Sequence, residues 1–369
     1  MDYRELALEL KLLKTVDKDA ACEYSEKSNI LIQAMEDAIY KKIVCGQPNW
    51  KLLYKVLSEA QAAHIDLMIN IFRLNAYEAL IRIIHWLDKV RYVNGLHSDI
   101  PIRINKLWIE VLEGTLSSRS ASVIVPIYQW IVNNYERIIA VAIPRPAYCY
   151  ELNESLDRVR EDFLVYLIIG DFSKCLSIAS QLVDSPDALL DFYIQIVQPT
   201  IYEIQNMWED GELTMAQEQA ASSMIARIIP YFETKAIKAQ NDGGKVAVIN
   251  IASEYYDLDS RMVADFFRLY GWQVSYFTTS VSGDGLIKAM KNTELQVVAI
   301  SITMFQNIGY AEDLIKLIRN TEETYGLKII VGGQAFDMEA AVWGALGADG
   351  YYGSDFKKAV LLAGEIVKK

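Results

Sequence analysis

Histidine is scarce in this sequence: His64, His85 and His97 are the three in 369 residues, and none follows position 97. Everything downstream must do its chemistry without an imidazole of its own, so a histidine on a metal there has to come from the N-terminal part or from another subunit. Cysteine is little used. Cys22, Cys45, Cys149 and Cys175 lie far apart with no CxxC or Cys/His spacing, which argues against a disulfide framework or zinc site and leaves thiols buried in a reducing cytosol. Lys and Arg number 36 against 48 Asp and Glu, and a net charge of -12 opposes broad contact with a phosphate backbone. No basic run offsets this, so direct nucleic-acid binding is not expected. No apolar run approaches the ~20 residues of a membrane helix, and the N-terminus MDYRELALELKLL carries charges through its apolar stripe, unlike a signal peptide. The expected protein is soluble and cytoplasmic. A P-loop, a nucleophile–base constellation and a metal-ligand cluster are also missing, so no catalytic role of its own is expected.

Apolar residues are plentiful, and 52% hydrophobic against 23% charged suits two or three domains with real cores. Residues 1–148 read as all-helical, because apolar residues recur at three- and four-residue steps with turn signals at Gly46-Gln47-Pro48-Asn49 and Asn94-Gly95. Pro144-Arg145-Pro146 then marks a boundary. His64 lies on the apolar stripe of its helix, His85 flanks one, and His97 sits in a loop. A histidine on such a stripe is more often a core residue satisfied by a neighbour than a ligand. The three remain candidates for holding a second pigment or an axial position, and the domain could equally be an empty sensor or dimerisation module. Residues 152–238 form a second helical unit in which Gly170-Asp171 and Asp184-Ser185-Pro186 separate helices, and four helices fit its length.

Residues 244–369 change character. The apolar runs KVAVINIA, LQVVAISIT and LKIIVGG are each followed by a helical pattern, the βα alternation of a doubly wound sheet, with five parallel strands expected in the order 2-1-3-4-5. Three signals fall at the strand ends: EYYDLD at 254–259, Ser301-Ile302-Thr303, and Gly332-Gly333. Forty-one residues separate Asp259 from Ser301, and 28 separate Thr303 from Gly332. That spacing resembles the cobalamin-binding signature, an acidic-x-His-x-x-Gly loop followed by Ser-x-Leu or Ser-x-Thr and then Gly-Gly. Tyr256 stands where the family has its cobalt-ligating histidine, and Asp259 where it has glycine. The 199–218 phrase resembles the helical cap of light-sensing and methyl-carrying cobalamin proteins, with Pro199 opening a helix, Trp208, Gly211 and then Glu218. The family's upper-face Glu-His pair is here Glu218-Gln219.

The resemblance implies an all-α N-terminal part, a four-helix cap and a flavodoxin-like α/β cobalamin-binding domain. The cofactor set it implies is Trp208, Glu218 and Gln219 above the corrin, with Glu254, Tyr256, Asp259, Ser301, Thr303, Gly332 and Gly333 at the sheet. In the family, the tail of the cofactor threads past the Ser-x-Thr and Gly-Gly positions. A phenol is a weak oxygen donor for cobalt at neutral pH. Asp259 reads as an N-cap before Ser260 that repels a tail phosphate. The residues at Ser301, Thr303, Gly332 and Gly333 read as permissive. Adenosylcobalamin without the usual histidine is the implied cofactor, and haem or biliverdin stays open as another tetrapyrrole. The implied function is a regulatory sensor, a photoreceptor in one branch of the family, acting through a protein partner and in a homo-oligomer. A corrinoid methyl-carrier protein and a ligand-free scaffold are the alternatives.

Overall fold

Runs of β-branched residues in the C-terminal part pair only with one another, and their pairing fixes the frame. In a computed structural model describing residues 2–13, 15–46, 50–93, 99–144, 150–236, 243–251, 257–278, 283–291, 293–339 and 341–368, they form one parallel sheet. Its strands are β1 (Gly244–Asn250), β2 (Trp272–Phe277), β3 (Val297–Ser301), β4 (Lys328–Gly332) and β5 (Gly350–Gly353), in the order β2-β1-β3-β4-β5. The order is the expected one.

The chain divides into two compact units. The first comprises Met1–Arg145 together with Met304–Gly309 and Met338–Val342; the second holds the remainder. Among the described residues of the first lie the helices α1 (Tyr3–Lys11), α2 (Lys18–Glu26), α3 (Ser28–Ile39), α4 (Trp50–Leu74), α5 (Tyr77–Val93), α6 (Ile100–Thr115) and α7 (Ser118–Ala140); the periodicity reads α2 and α3 as one helix over 19–44, and the structure divides it. Asp2, Asp17 and Ser117 cap the free amides of α1, α2 and α7. The core stacks Tyr24, Phe72, Trp108 and Tyr128, all buried, and the Tyr24 and Phe72 rings meet edge to face at 5.1 Å. The two inserted segments are held by the helices of this unit. Asn70 of α4 donates to the Gln306 carbonyl at 2.8 Å, and the Glu339 carboxylate accepts from the Glu78 and Ala79 amides at the start of α5.

The second unit begins with α8 (Asp157–Ile168), α9 (Phe172–Leu182), α10 (Pro186–Phe192), α11 (Gln198–Glu209) and α12 (Met215–Ala236). Between α10 and α11 a single π turn, Tyr193–Val197, carries the chain to Pro199. A proline has no N–H to offer the carbonyl four residues back, so the local switch to five-residue pairing leaves the helix continuous. The remaining helices alternate with the strands: α13 (Leu258–Leu269), α14 (Gly283–Lys291), α15 (Ile308–Asn320), α16 (Gln334–Met338), α17 (Val342–Ala345) and α18 (Phe356–Val367). The helical pattern of the sequence over 337–346 reads as one helix, and the structure has α16 and α17 there instead. One apolar cluster joins the helices α8–α12 to α13, α18 and the strand face carrying Val246, Val248, Val297, Ala299 and Ile330. Inside this face Tyr193 donates to Asp265 at 2.9 Å and Arg268 pairs with the same carboxylate, which pins α13 to the helical layer through a charge that is paired on burial.

Candidate functional site

Ligands of a doubly wound sheet bind at the carboxyl ends of its strands, and here those ends form a row. Asn250 of β1 is in register with Ser301 of β3, and Ser301 with Gly332 of β4. Parallel partners in register point the same way, so all three face α13 and α18. Ser301 and Asn250 are each 3% exposed, and the Asn250 side-chain nitrogen is buried without a hydrogen-bond partner.

The row is covered from its own sheet. Tyr352 of β5 is 1% exposed and lies flat across Gly332; a Cβ added there would meet its ring at 2.1 to 2.4 Å. Its phenol donates to the Ile300 carbonyl at 3.1 Å. Burial first, and then the charges of Asp259 and Asp337, push that phenol well above its ordinary range, while a hydrogen bond with Ser301 works the other way. Gly333 answers a different need. Its φ is +97°, and a Cβ would strike the Ile302 carbonyl oxygen at 2.3 Å. Both glycines are therefore demanded by packing: one by a ring, the other by backbone. The room that the sequence suggests at Gly332 is occupied by Tyr352, which periodicity gives no reason to single out. The available signal was a large aromatic two residues past Gly350, on the strand beside a glycine.

At the neighbouring loop the helix starts earlier than the residues suggest. α13 begins at Leu258, so Asp257 is the N-cap residue and Asp259 lies within the first turn; the expected N-cap at Asp259 is corrected accordingly. The Asp257 carboxylate turns to Arg261, at 2.7 Å from Nε, and makes no side-chain capping bond. Asp259 keeps the stabilising position of an acid near a helix N-terminus. Ser260 contacts the Tyr276 hydroxyl at 2.9 Å. Glu254 and Tyr256 lie outside the described residues.

Above the row, α11 reaches the strand ends directly. Gln198, 1% exposed, donates to the Ser354 carbonyl at 3.1 Å, and Gln334 at the start of α16 contacts Gln205 at 3.5 Å. Gln198 and Gln205 were not among the candidate residues; polar side chains on an apolar helix face were the signal. Trp208 ends α11 half-buried against the shared core. Glu218 is buried in the first turn of α12, accepting from Ser222 at 3.0 Å, while Gln219 beside it is exposed. Thr303 is buried just past the end of β3. The structure thus groups Ser301, Gly332 and Tyr352, keeps Asp259 in the first turn of α13, and places Trp208 and Glu218 in helices of the layer that packs on this face. On the opposite sheet face a cleft of about 250 Å³ lies among Ile249, Ile251, Thr278, Leu286, Tyr310 and Leu314.

In the first unit His64 meets the Tyr128 hydroxyl at 3.0 Å, and Tyr128 meets Tyr24 at 3.0 Å. The imidazole stacks on Trp108, whose Nε1 donates to Gln61. Its pKa is pushed down to about 3 by burial and, secondarily, by the charge of Arg91, so it is neutral in the fold. His85 contacts the Ile138 carbonyl at 3.1 Å. His97 lies outside the described residues. Among the described residues no three His, Cys, Asp or Glu side chains group as metal ligands, and no helix is long and apolar enough to cross a membrane.

A tail threaded between sheet and helices at Ser301 and Gly332 does not fit these residues: the ring of Tyr352 fills the space. The rim itself, with α11 above it, is not closed to a corrin by that observation.

Residues 244–361 match the family described as B12 binding domain, and residues 159–233 match a second model of the same description. Nothing among curated proteins matches the chain. Solved structures similar to it include a monomethylamine corrinoid protein of Methanosarcina barkeri, with 13% identity over 57% of this chain and 99% of that one at a TM-score of 0.50. A cobalamin-binding protein of Desulfitobacterium hafniense DCB-2 follows at 12% identity, covering 56% and 97% with a TM-score of 0.33. The methanol:cobalamin methyltransferase complex MtaBC of Methanosarcina barkeri matches at 12% identity over 69% and 93%, TM-score 0.30.

Proposed function

We propose that this chain, in which B12 binding domains span residues 159–233 and 244–361, holds a corrinoid for a protein partner and performs no catalysis with its own side chains. The observation that carries this reading is the seating of α11 on the strand ends through Gln198 and Gln205. Trp208, half-buried on the same helix as both glutamines, supports a corrin held beneath that helix. A bound corrinoid would supply reactive cobalt. The protein's part is to hold the ring between Trp208 and the rim, keep water away with the apolar layer, and leave access for the partner. The corrinoid protein of Methanosarcina barkeri shares the fold and supports a carrier of this kind.

A second reading, a regulatory sensor, is favoured by two observations. No imidazole exists after His97 to sit beneath the cobalt. The segments Met304–Gly309 and Met338–Val342, which adjoin Thr303 and the end of α16, belong to the first unit, so the chain runs from the rim into that unit at two points.

The test is retention of colour. The full chain is mixed separately with aquocobalamin, adenosylcobalamin, haem and biliverdin and passed over a sizing column. Corrin absorbance eluting with the protein is expected, and Trp208→Ala should weaken its retention. Colourless protein with both corrinoids, or retention of haem or biliverdin alone, overturns the proposal. A change in elution volume on illuminating the adenosylcobalamin-loaded protein would select the sensor over the carrier.

A further inference from the structure

The slot at Gly332 decides more than whether a corrinoid fits. Resting on the corrinoid-binding reading above, we infer that the corrinoid is taken up with its nucleotide tail outside the sheet, so that the site selects for the corrin ring and is indifferent to the lower base.

Three observations converge on this. The Asn250–Ser301–Gly332 row brings strand ends together on the α13 and α18 face, and Tyr352 lies across it. The ring is held by the hydrogen bond of its phenol to the Ile300 carbonyl. It is part of the continuous core with Phe356, Val360 and Met262. To admit a tail it would have to leave that core, exposing a large aromatic surface and stranding the hydrogen bonds it makes. Finally, the charges of Asp259 and Asp337 both raise the phenol's pKa, so the local field also disfavours a tail phosphate. Asp337 is itself engaged: the Ser354 hydroxyl donates to it at 2.5 Å and so does the Tyr351 hydroxyl. Neither ring nor charge is a loose surface feature that a ligand could push aside cheaply.

The consequence concerns ligand class. A protein that buries the tail draws affinity from it and discriminates strongly against corrinoids lacking it. A protein whose slot is filled gains nothing from the tail. Complete cobalamins, cobamides with other bases and tail-less cobinamide should then be equivalent ligands.

The experiment titrates the full chain with aquocobalamin and with diaquocobinamide, followed by absorbance. α-Ribazole phosphate, the tail nucleotide alone, is titrated separately by calorimetry. The expected result is affinity for the two corrinoids equal within about threefold, a difference of less than about 0.7 kcal/mol, and no heat from α-ribazole phosphate. Preference for cobalamin over cobinamide by more than about tenfold, or binding of α-ribazole phosphate to the wild-type chain, overturns the inference. Tyr352→Ala should open the slot and confer binding of α-ribazole phosphate, whereas Tyr352→Phe, which keeps the ring, should not; a Tyr352→Ala chain that folds and still refuses the nucleotide counts against the ring as the barrier. If neither corrinoid binds, the corrinoid reading fails, and the nucleotide arm still judges the slot by itself. The wild-type measurements decide the matter even where Tyr352→Ala does not fold.

Discussion

Tyr128 in the first unit and Tyr352 in the second are both buried phenols with protein partners, yet they stand beside opposite features. Tyr128 accompanies an imidazole that the sequence offers as a ligand, and engages it at 3.0 Å. Tyr352 accompanies a glycine that the sequence offers as open space, and covers it. In each case a feature that reads as waiting for a ligand is already answered from within the chain. The contrast teaches that a motif residue and a vacant site are different things: burial demands partners and close packing whether or not a ligand comes.

The sharpest way to break this comparison is at the double glycine. Gly333→Ala drives a Cβ into backbone at 2.3 Å with φ at +97°, and neither can yield without moving the sheet. A loss above about 4 kcal/mol, read as failure to reach a cooperative folded state in urea, is expected. Gly332→Ala meets only a side chain, so about 1 to 3 kcal/mol should be lost as Tyr352 shifts. Combining it with Tyr352→Ala should be markedly non-additive, because the second change removes the atoms the first one strikes. Equal losses for the two alanines would show that Tyr352 does not lie where it is placed.

Next in size is Tyr128→Phe. It removes the one hydroxyl that links His64 with Tyr24, and about 1 to 3 kcal/mol should go with it in chemical unfolding. A neutral effect would mean the imidazole is satisfied elsewhere. The smallest expected effect is a dependence on pH. The unfolded chain protonates His64 near its ordinary 6.5, while the fold resists until about 3. Stability is therefore full above about pH 6.5 and declines as pH falls through that window, by at most about 1.4 kcal/mol per unit. His64 keeps part of its surface open, so the measured slope should lie below that limit. His64→Phe should flatten the slope in stability curves at pH 5 and 7; an unchanged slope assigns it to other groups.

Much of the architecture was legible because periodicity reports burial directly. Most helices of the first unit and the strand order follow from it, though the stretch 19–44 divides into α2 and α3, and α13 begins at Leu258. The helix broken at Met338 was not legible, since its residues suit a helix locally and the interruption comes from where the chain is held. The site was legible only in part. Ser301 and Gly332 could be placed on one rim because register follows from strand order. Tyr352 could not, because which ring fills a gap depends on packing across three strands, and no local pattern encodes it. Gln198 was hidden for the same reason: its partner, the Ser354 carbonyl, is 156 residues away.

The most direct measurement of the central claim is the electron paramagnetic resonance spectrum of the Co(II) form of cobalamin bound to protein grown with 15N-labelled histidine. The expected spectrum keeps the three-line nitrogen splitting of free cobalamin, because the cofactor's own base stays in place outside a slot filled by Tyr352. A two-line splitting from labelled histidine would mean that a protein imidazole has displaced the base and would contradict the claim.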